Sequence, residues 1–354
     1  MKKISFCLPS KDNLRYLKSS ITSILKNSEL DNEIIVWVDS YNDGTVDWLK
    51  ANNIKYLVNP LDKPQGIAAG YNRCIEAATN KIVCMFHADM FMGKGFDINL
   101  IKHLKPKTVI AGTRIEPPLH PPGKEKIVED FGMYPEDFNE EDFNQFVSQI
   151  QKDQKNQVTY GIFAPWACYK NEIIEMGMHD ESFHSYHEDS DIFNRFVLNG
   201  MKLIQSRDAL VYHLTCRGGI FQDGMEKVTD DINFHNMRDQ SRKHYLKKWG
   251  SWIKNDEYHY PILSPVYKKK LHISNPNTSL HQLQDWFNEG NDVIVEIDGN
   301  NFTQQDFQLI QQLNDIIKDS GEVGSFELGN LKITISELKE YQNELIKNKS
   351  YEKV

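Results

Sequence analysis

Apolar and polar positions trade places along the first hundred residues in a regular rhythm. Short apolar runs, "KISFCLP", "EIIVWV", "IKYLV" and "KIVCMF", have the length of buried strands. Between them lie longer stretches with helical spacing. "NLRYLKSSITSILKNS" sets Leu14, Leu17, Ile21, Ile24 and Leu25 on one face, "TVDWLKANN" is a short helix, and "GIAAGYNRCIEAATN" is a helix of small residues. Strands separated by helices of this length predict a doubly wound α/β sheet. Ligands of such sheets sit beyond the carboxyl ends of the strands. Those ends here are Pro9-Ser10-Lys11, Asp39-Ser40, Asn59-Pro60 and His87-Ala88-Asp89, all polar or turn-forming.

The rhythm breaks over residues 113–158, where a proline-rich stretch and an acidic, helix-prone one read as an insertion or flap. It resumes with "GIFAPWACYKNEIIEMG", a helix from about Ser190 to Asn199 stopped by Gly200, and the strand "ALVYHL". Residues 1–254 thus form the main domain, 255–270 a linker, and 271–354 a small α+β unit without a catalytic constellation.

Composition narrows the function. The chain of 354 residues carries 41 Lys and Arg against 50 Asp and Glu, a net charge of -9, which argues against a nucleic-acid binder. Its five cysteines show no CxxC pair, and Cys7 and Cys84 fall inside apolar runs, as expected of small buried hydrophobes in a reducing compartment. The start "MKKISFCLPS" is too short for a signal core and no run reaches membrane-span length, so a cytoplasmic protein is expected, with a peripheral membrane contact left open. No GxGxxG or Walker pattern follows the first strand, so a bound phosphate would need another partner, such as a carboxylate-held divalent cation.

On these motifs the chain resembles the inverting glycosyltransferases of family two, with the GT-A fold, over residues 1 to about 215. "PSKDN" stands for the family's Pro-x-x-Asn and "EIIVWVDSYNDGT" for "EIIVVDDGSTDGT". "GIAAGYNRCIEAATNKIVCMFHAD" stands for the helix leading to its Asp-x-Asp, and "MHDESFHSYHEDSDIFNRFVLNGMKLIQSRDALVYH" for its Glu-Asp region. The resemblance implies a nucleotide-sugar donor, UDP-linked by expectation, a hydroxyl-bearing acceptor such as a glycan, and a manganese or magnesium ion.

It also assigns residues. Asp89 matches the last acid of the Asp-x-Asp and would bind metal, with His213 completing the shell; His87 replaces the first acid and is either a third ligand or a donor contact. Pro9, Ser10, Asp12, Asp39, Asn72, Arg73, His87, Ala88 and Asp89 would line the donor. A phosphate-facing cation is sought among Lys63, Arg73 and Arg217. Asp189 is the expected base, Glu188 its acceptor-binding or loop-orienting neighbour, and Asp191 a structural acid at the helix start. Trp166 either stacks on the acceptor or belongs to the core. Asp12 and Asn13 serve the base or cap the Leu14 helix. The stretch 243–254, with Trp249 and Trp252, lies either on an anionic surface or against the catalytic domain.

Two other readings stay open: a degenerate module that binds nucleotide or glycan without turnover, and a sugar nucleotidyltransferase. The second lacks its Gly-rich loop after strand one. Assembly into a homo-oligomer through the C-terminal unit is a further expectation.

Overall fold

The computed structural model describes residues 2–40, 42–215 and 255–263, scattered positions between 237 and 253, and three short strands beyond residue 295. The chain divides into two compact units, Met1–Phe234 with Asn255–Pro261, and His235–Lys254 with Ile262–Val354. Asn255–Pro261, inside the stretch read as a linker, therefore belongs to the N-terminal unit.

That unit is built on a mixed sheet. Strands β1 (Ile4–Lys11), β2 (Glu33–Ser40), β3 (Lys55–Val58) and β4 (Ile82–Met85) alternate with helices α1 (Leu14–Asn27), α2 (Thr45–Ala51) and α3 (Ile67–Ala77). They are followed by β5 (Met90–Met92), α4 (Phe96–Ile101), β6 (Thr108–Glu116), β7 (Lys126–Val128), α5 (Glu140–Asp153), β8 (Val158–Tyr160), β9 (Trp166–Tyr169), α6 (Lys170–Glu175), α7 (Glu188–Leu198) and β10 (Lys202–His213). The strand order is β3-β2-β1-β4-β9-β6-β10-β5, with β7 on β6 and β8 on β10. Strands β1 to β4 run parallel, β9 is antiparallel to both β4 and β6, and β5 is antiparallel to β10. Strands β1 to β4 are the parallel, doubly wound part that alternating strands and helices predict, and β9 and β5 make the whole sheet mixed, as the GT-A resemblance implies.

The order reverses at β1, so right-handed crossovers place α1 and α3 on opposite faces and open a crevice at the carboxyl ends of β1 and β4. Both strands reach that crevice through fully buried apolar residues, and Phe6, Phe86 and Phe96 meet edge to face beneath it. Cys7, Cys74, Cys84 and Cys168 are free and buried, as small hydrophobes should be, while Cys216 lies outside the described residues.

Strand β6 is buried along its whole length, and it runs four residues into the stretch read as an insertion. The remainder of that stretch folds over the sheet. Phe143 and Val147 of α5 pack with Phe131, Phe138 and Tyr212 in a second apolar cluster. Asn139 caps α5 by accepting from Asp142 N at 3.2 Å, and three acids occupy its first turn, where the helix dipole favours them.

In the C-terminal unit the described strands are β11 (Glu296–Ile297), β12 (Ser325–Leu328) and β13 (Leu331–Thr334), β12 pairing parallel with β11 and antiparallel with β13. The helices expected there lie outside the described residues. No helix among the described residues is long and apolar enough to cross a membrane.

Candidate active site

The answer to why a buried strand ends on His87-Ala88-Asp89 lies in β5. After Asp89 the chain turns into β5, which pairs antiparallel with β10 so that Met90 faces His213. Leu214 N donates to Asp89 O at 3.1 Å, which locks the two strand ends together. The ligand atoms of His87, Asp89 and His213 consequently lie within 4.8 Å of one another. His213 Nε2 is 3.5 Å from Asp89 Oδ1, and the two imidazole rings are 5.5 Å apart.

A second carboxylate fixes this arrangement. Glu116, at the end of β6, accepts from His213 Nδ1 at 2.9 Å, so Nε2 is left to face Asp89. Glu116 also meets Lys126 Nζ at 2.9 Å and Arg114 Nε at 3.1 Å. Burial would raise its pKa, but His213, Arg114 and Lys126 together hold it well below the usual carboxylate range. Burial pulls His213 down, yet Asp89 and Glu116 outweigh it and lift the imidazole to about 9. His87 goes the other way, to about 4, because burial and the neighbouring His213 disfavour its charge. Two imidazoles, one of them oriented by a carboxylate, and a further carboxylate form a donor set able to hold a divalent cation.

The acid pair is set on the first turn of α7. Tyr186 and His187 precede it with φ of +66° and +70°, two consecutive left-handed residues without glycine, a strain that persists only where the surroundings impose it. Glu188 is buried and its Oε2 has no hydrogen-bond partner among the described residues, whereas half-buried Asp189 accepts from Ser190 N at 2.6 Å and Ser190 Oγ at 3.3 Å. Burial, then the charge of Asp189, pushes Glu188 up to about 8; burial also raises Asp189, against the pull of Ser190 and His259.

Both acidic centres connect through one strand. Arg114 and Glu116 are two apart on β6 and so share a face. Glu116 reaches the His213 cluster; burial lowers the pKa of Arg114, against the charges of Glu116, Glu125 and Asp189.

Other residues take supporting places. Asp39 is buried and accepts from Asn59 Nδ2, Gln65 N and Gly66 N, each at 2.9 Å, tying the end of β2 to the 59–66 loop. Gly66 opens α3 at φ +92°, where a Cβ would fall 2.2 Å from His184 O, so only glycine lets the two loops touch. Asn72 donates to His179 O and Glu181 Oε1 and accepts from His179 N, all at 2.9 Å, while Arg73 pairs with Glu181 at 3.0 Å. Together they clamp the loop that leads to α7. Asp191 and Arg195 are a fully buried pair at 2.9 Å, and Arg195 donates onward to the carbonyls of Met176 and Met178. This matches the structural role expected of Asp191.

Trp166 is 2% exposed and packs among Phe193, Phe196 and His179 with centroids at 6.0, 5.3 and 5.9 Å, so of its two expected places it occupies the core. Asp12 is exposed and accepts from Ser40 Oγ at 2.7 Å. Neither Asp12 nor Asn13 caps α1 with its side chain; Asp43 does so from the next loop, accepting from Leu14 N at 2.8 Å and Thr45 N at 3.1 Å. Pro9 is half-buried, and the Ser10 hydroxyl, buried at the end of β1, has no partner among the described residues. Ala88, between His87 and Asp89 in the chain, is buried. His179 stacks on Tyr71 at 5.2 Å and His184 Nδ1 meets Gln65 O at 3.2 Å, so the histidines at 179, 184 and 187 serve separate places. Lys63 is exposed, and Arg217 and most of 243–254 lie outside the described residues.

Sequence reasoning missed Glu116 and Arg114. Their signal was two charges spaced by two within an otherwise apolar run, "TVIAGTRIE".

Comparison with known proteins agrees with the motif reading. Residues 5–169 match the family model "Glycosyl transferase family 2". A search of curated proteins finds no match. Among solved structures, GalNAc-T7 with UDP, GalNAc and Mn2+ is similar at 13% identity and a TM-score of 0.49, over 73% of this chain and 49% of that one. TarS 1-349 of S. aureus in complex with UDP is similar at 12% identity and a TM-score of 0.43, over 69% of this chain and 65% of that one. The mannosyltransferase PcManGT from Pyrobaculum calidifontis, in complex with GDP-Man and Mn2+, is similar at 14% and 0.43, over 70% and 63%. This chain thus spans about half to just under two thirds of the length of these structures.

Proposed function

We propose that this chain, whose residues 5–169 carry a glycosyl transferase family 2 segment, moves a sugar from a nucleotide-sugar, with UDP as the nucleotide, to an acceptor hydroxyl with inversion. The observation that carries the reading is the cluster at the strand ends: Glu116 orients His213 beside Asp89, and the ligand atoms of His87, Asp89 and His213 lie within 4.8 Å of one another.

Asp89, His213 and His87 would hold a divalent cation, manganese or magnesium, which when bound supplies positive charge to the departing diphosphate. The remaining chemistry belongs to the chain. Inverting transfer needs a base that takes the proton of the attacking hydroxyl. Two adjacent carboxyls in a shared low-dielectric site titrate as a pair, and their environments decide which ionises first. Ser190 N–H and Oγ–H stabilise a carboxylate on Asp189, and the first turn of α7 adds its dipole, whereas Glu188 holds its proton to about pH 8. Asp189 is therefore the base. Glu188, protonated, presents a hydrogen-bond donor to the acceptor. The buried Ser10 hydroxyl at the end of β1 offers a contact to the donor.

A hydrolysis screen of UDP-, GDP- and CDP-sugars with MnCl2 tests the proposal without knowledge of the acceptor. Slow, manganese-dependent release of UDP from a UDP-sugar is expected. Absence of release from every donor, together with no thermal stabilisation by UDP and manganese, would overturn it.

A further inference from the structure

Residues Asn255–Pro261 lie far outside the segment that matches the family, yet they are built into the catalytic unit. They form a closed loop. Asn255 bridges Pro261, Asp256 N donates to Tyr260 O at 2.9 Å, and Asp256 Oδ1 accepts from Tyr258 N at 2.8 Å and Tyr260 N at 2.9 Å. At its turn His259 adopts φ +59°, a left-handed conformation in which His, Asn and Asp are the favoured residues other than glycine.

The loop is seated closely. Gly161, at φ +114°, passes so near that a Cβ there would fall 2.0 Å from Tyr258 O. Lys124 pairs with Glu257 at 2.6 Å, and the rings of Tyr160 and Tyr260 meet at 6.5 Å. The seat brings His259 to a polar cluster. Its Nε2 is 3.5 Å from Glu125 Oε1, which is also 3.5 Å from Arg114 Nη2. Phe163 lies between the two bases, with the Arg114 guanidinium 3.6 Å over its ring and the His259 ring edge-on at 5.8 Å.

Two features of the cluster call for a ligand. Arg114 is 3% exposed, and its Nη1 has no hydrogen-bond partner among the described residues. A buried guanidinium donor without a partner is costly, and a bound hydroxyl would remove that cost. The His259 side chain is 39% exposed while Glu125 beneath it is 7%, so the cluster is reachable from one side.

We propose that Arg114, Glu125 and His259 form the acceptor subsite, that its ligand is the polyol face of a pyranose, and that the 255–261 loop is a strap which completes it. The inference rests on the transferase reading above for its assignment to the acceptor. It deepens that reading by naming the ligand class. A forked donor, a carboxylate acceptor and an imidazole around an aromatic edge suit neighbouring ring hydroxyls, which need donors and acceptors at close spacing. The acceptor side is favoured because Arg114 also meets Glu116 at 3.1 Å, which sets the cluster beside the His213 site, and because His259 lies close enough to Asp189, the proposed base, to offset part of the rise that burial gives its pKa.

The test uses the full chain and methyl glycosides of glucose, galactose and mannose as probes, read by saturation-transfer NMR with UDP and MnCl2 present. His259→Asn keeps a residue that tolerates the left-handed turn and removes the imidazole. Gly161→Ala unseats the strap without changing any residue of the cluster. UDP and manganese binding is followed in parallel by calorimetry. Wild type is expected to show saturation transfer to at least one glycoside, and both variants to lose about five- to tenfold of it, the equivalent of one hydrogen bond, with UDP and manganese binding retained. Equal signals in wild type and both variants would overturn the subsite, as would no signal from any glycoside in wild type. A loss of glycoside signal in the variants of a protein that binds neither UDP nor manganese would keep the subsite and refute the transferase reading instead.

Discussion

Glu116 Oε1 accepts from His213 Nδ1 at 2.9 Å, and this contact decides which nitrogen of His213 faces Asp89. Replacing Glu116 by Gln keeps the shape but removes the charge that holds the imidazole in place. Manganese affinity is expected to fall by about 10–100-fold, the usual effect of losing a carboxylate behind a ligating histidine. Titration of free manganese by electron paramagnetic resonance reads it directly.

Asp189→Asn removes the base while leaving the α7 turn and the donor residues intact. UDP and manganese binding should persist, and turnover should fall by about 10²- to 10⁴-fold. Full activity of the variant in a donor-consumption assay would show that the base is another group.

The acid pair also makes a statement about stability. Glu188 has a folded pKa of about 8, above its ordinary value of 4.5, so the folded state binds more protons than the unfolded state between those limits. Its contribution is therefore fully present below about pH 4.5 and is lost as pH rises toward 8. Glu188→Gln should flatten this slope. Above pH 8 the variant should be more stable than wild type by on the order of 1 kcal/mol, or about 2–4 °C in Tm. Thermal melts of the two proteins from pH 5 to 9 check it, and parallel slopes would contradict the assignment.

Arg195 lies outside the chemistry but holds the turn ahead of α7. With Asp191 it forms a fully buried pair, and it donates to the carbonyls of Met176 and Met178. Arg195→Met leaves Asp191 buried without that partner, for an expected loss of about 3–5 kcal/mol measured by urea denaturation.

Much of this was legible in the sequence. The short apolar runs located β1 to β4 and the 3.6-residue spacing located α1 to α3, because the central strands are buried on both faces while a helix buries one. The motifs marked Asp89, His213, Glu188 and Asp189 because each lies at the end or start of an element, and the structure brings Asp89 and His213 together with His87. Glu116 and Arg114 escaped because prolines follow at once, and residues 113–158 read as an insertion and not as a core strand. Asn72, Arg73 and Asp39 matched the donor motif, yet the structure engages each with a neighbouring loop. Such side-chain contacts across 20 to 109 positions leave no periodic trace. The His259 strap is legible only in three dimensions, since nothing local distinguishes it from a linker.

The central claim is that one cation sits among His87, Asp89 and His213. Crystals grown with UDP and MnCl2, measured on the two sides of the manganese absorption edge, test it most directly. An anomalous peak bounded by the Asp89 carboxylate and the His213 Nε2 is the result this account predicts. A peak bound elsewhere on the protein, or UDP held in the crevice with no manganese beside Asp89, would contradict it.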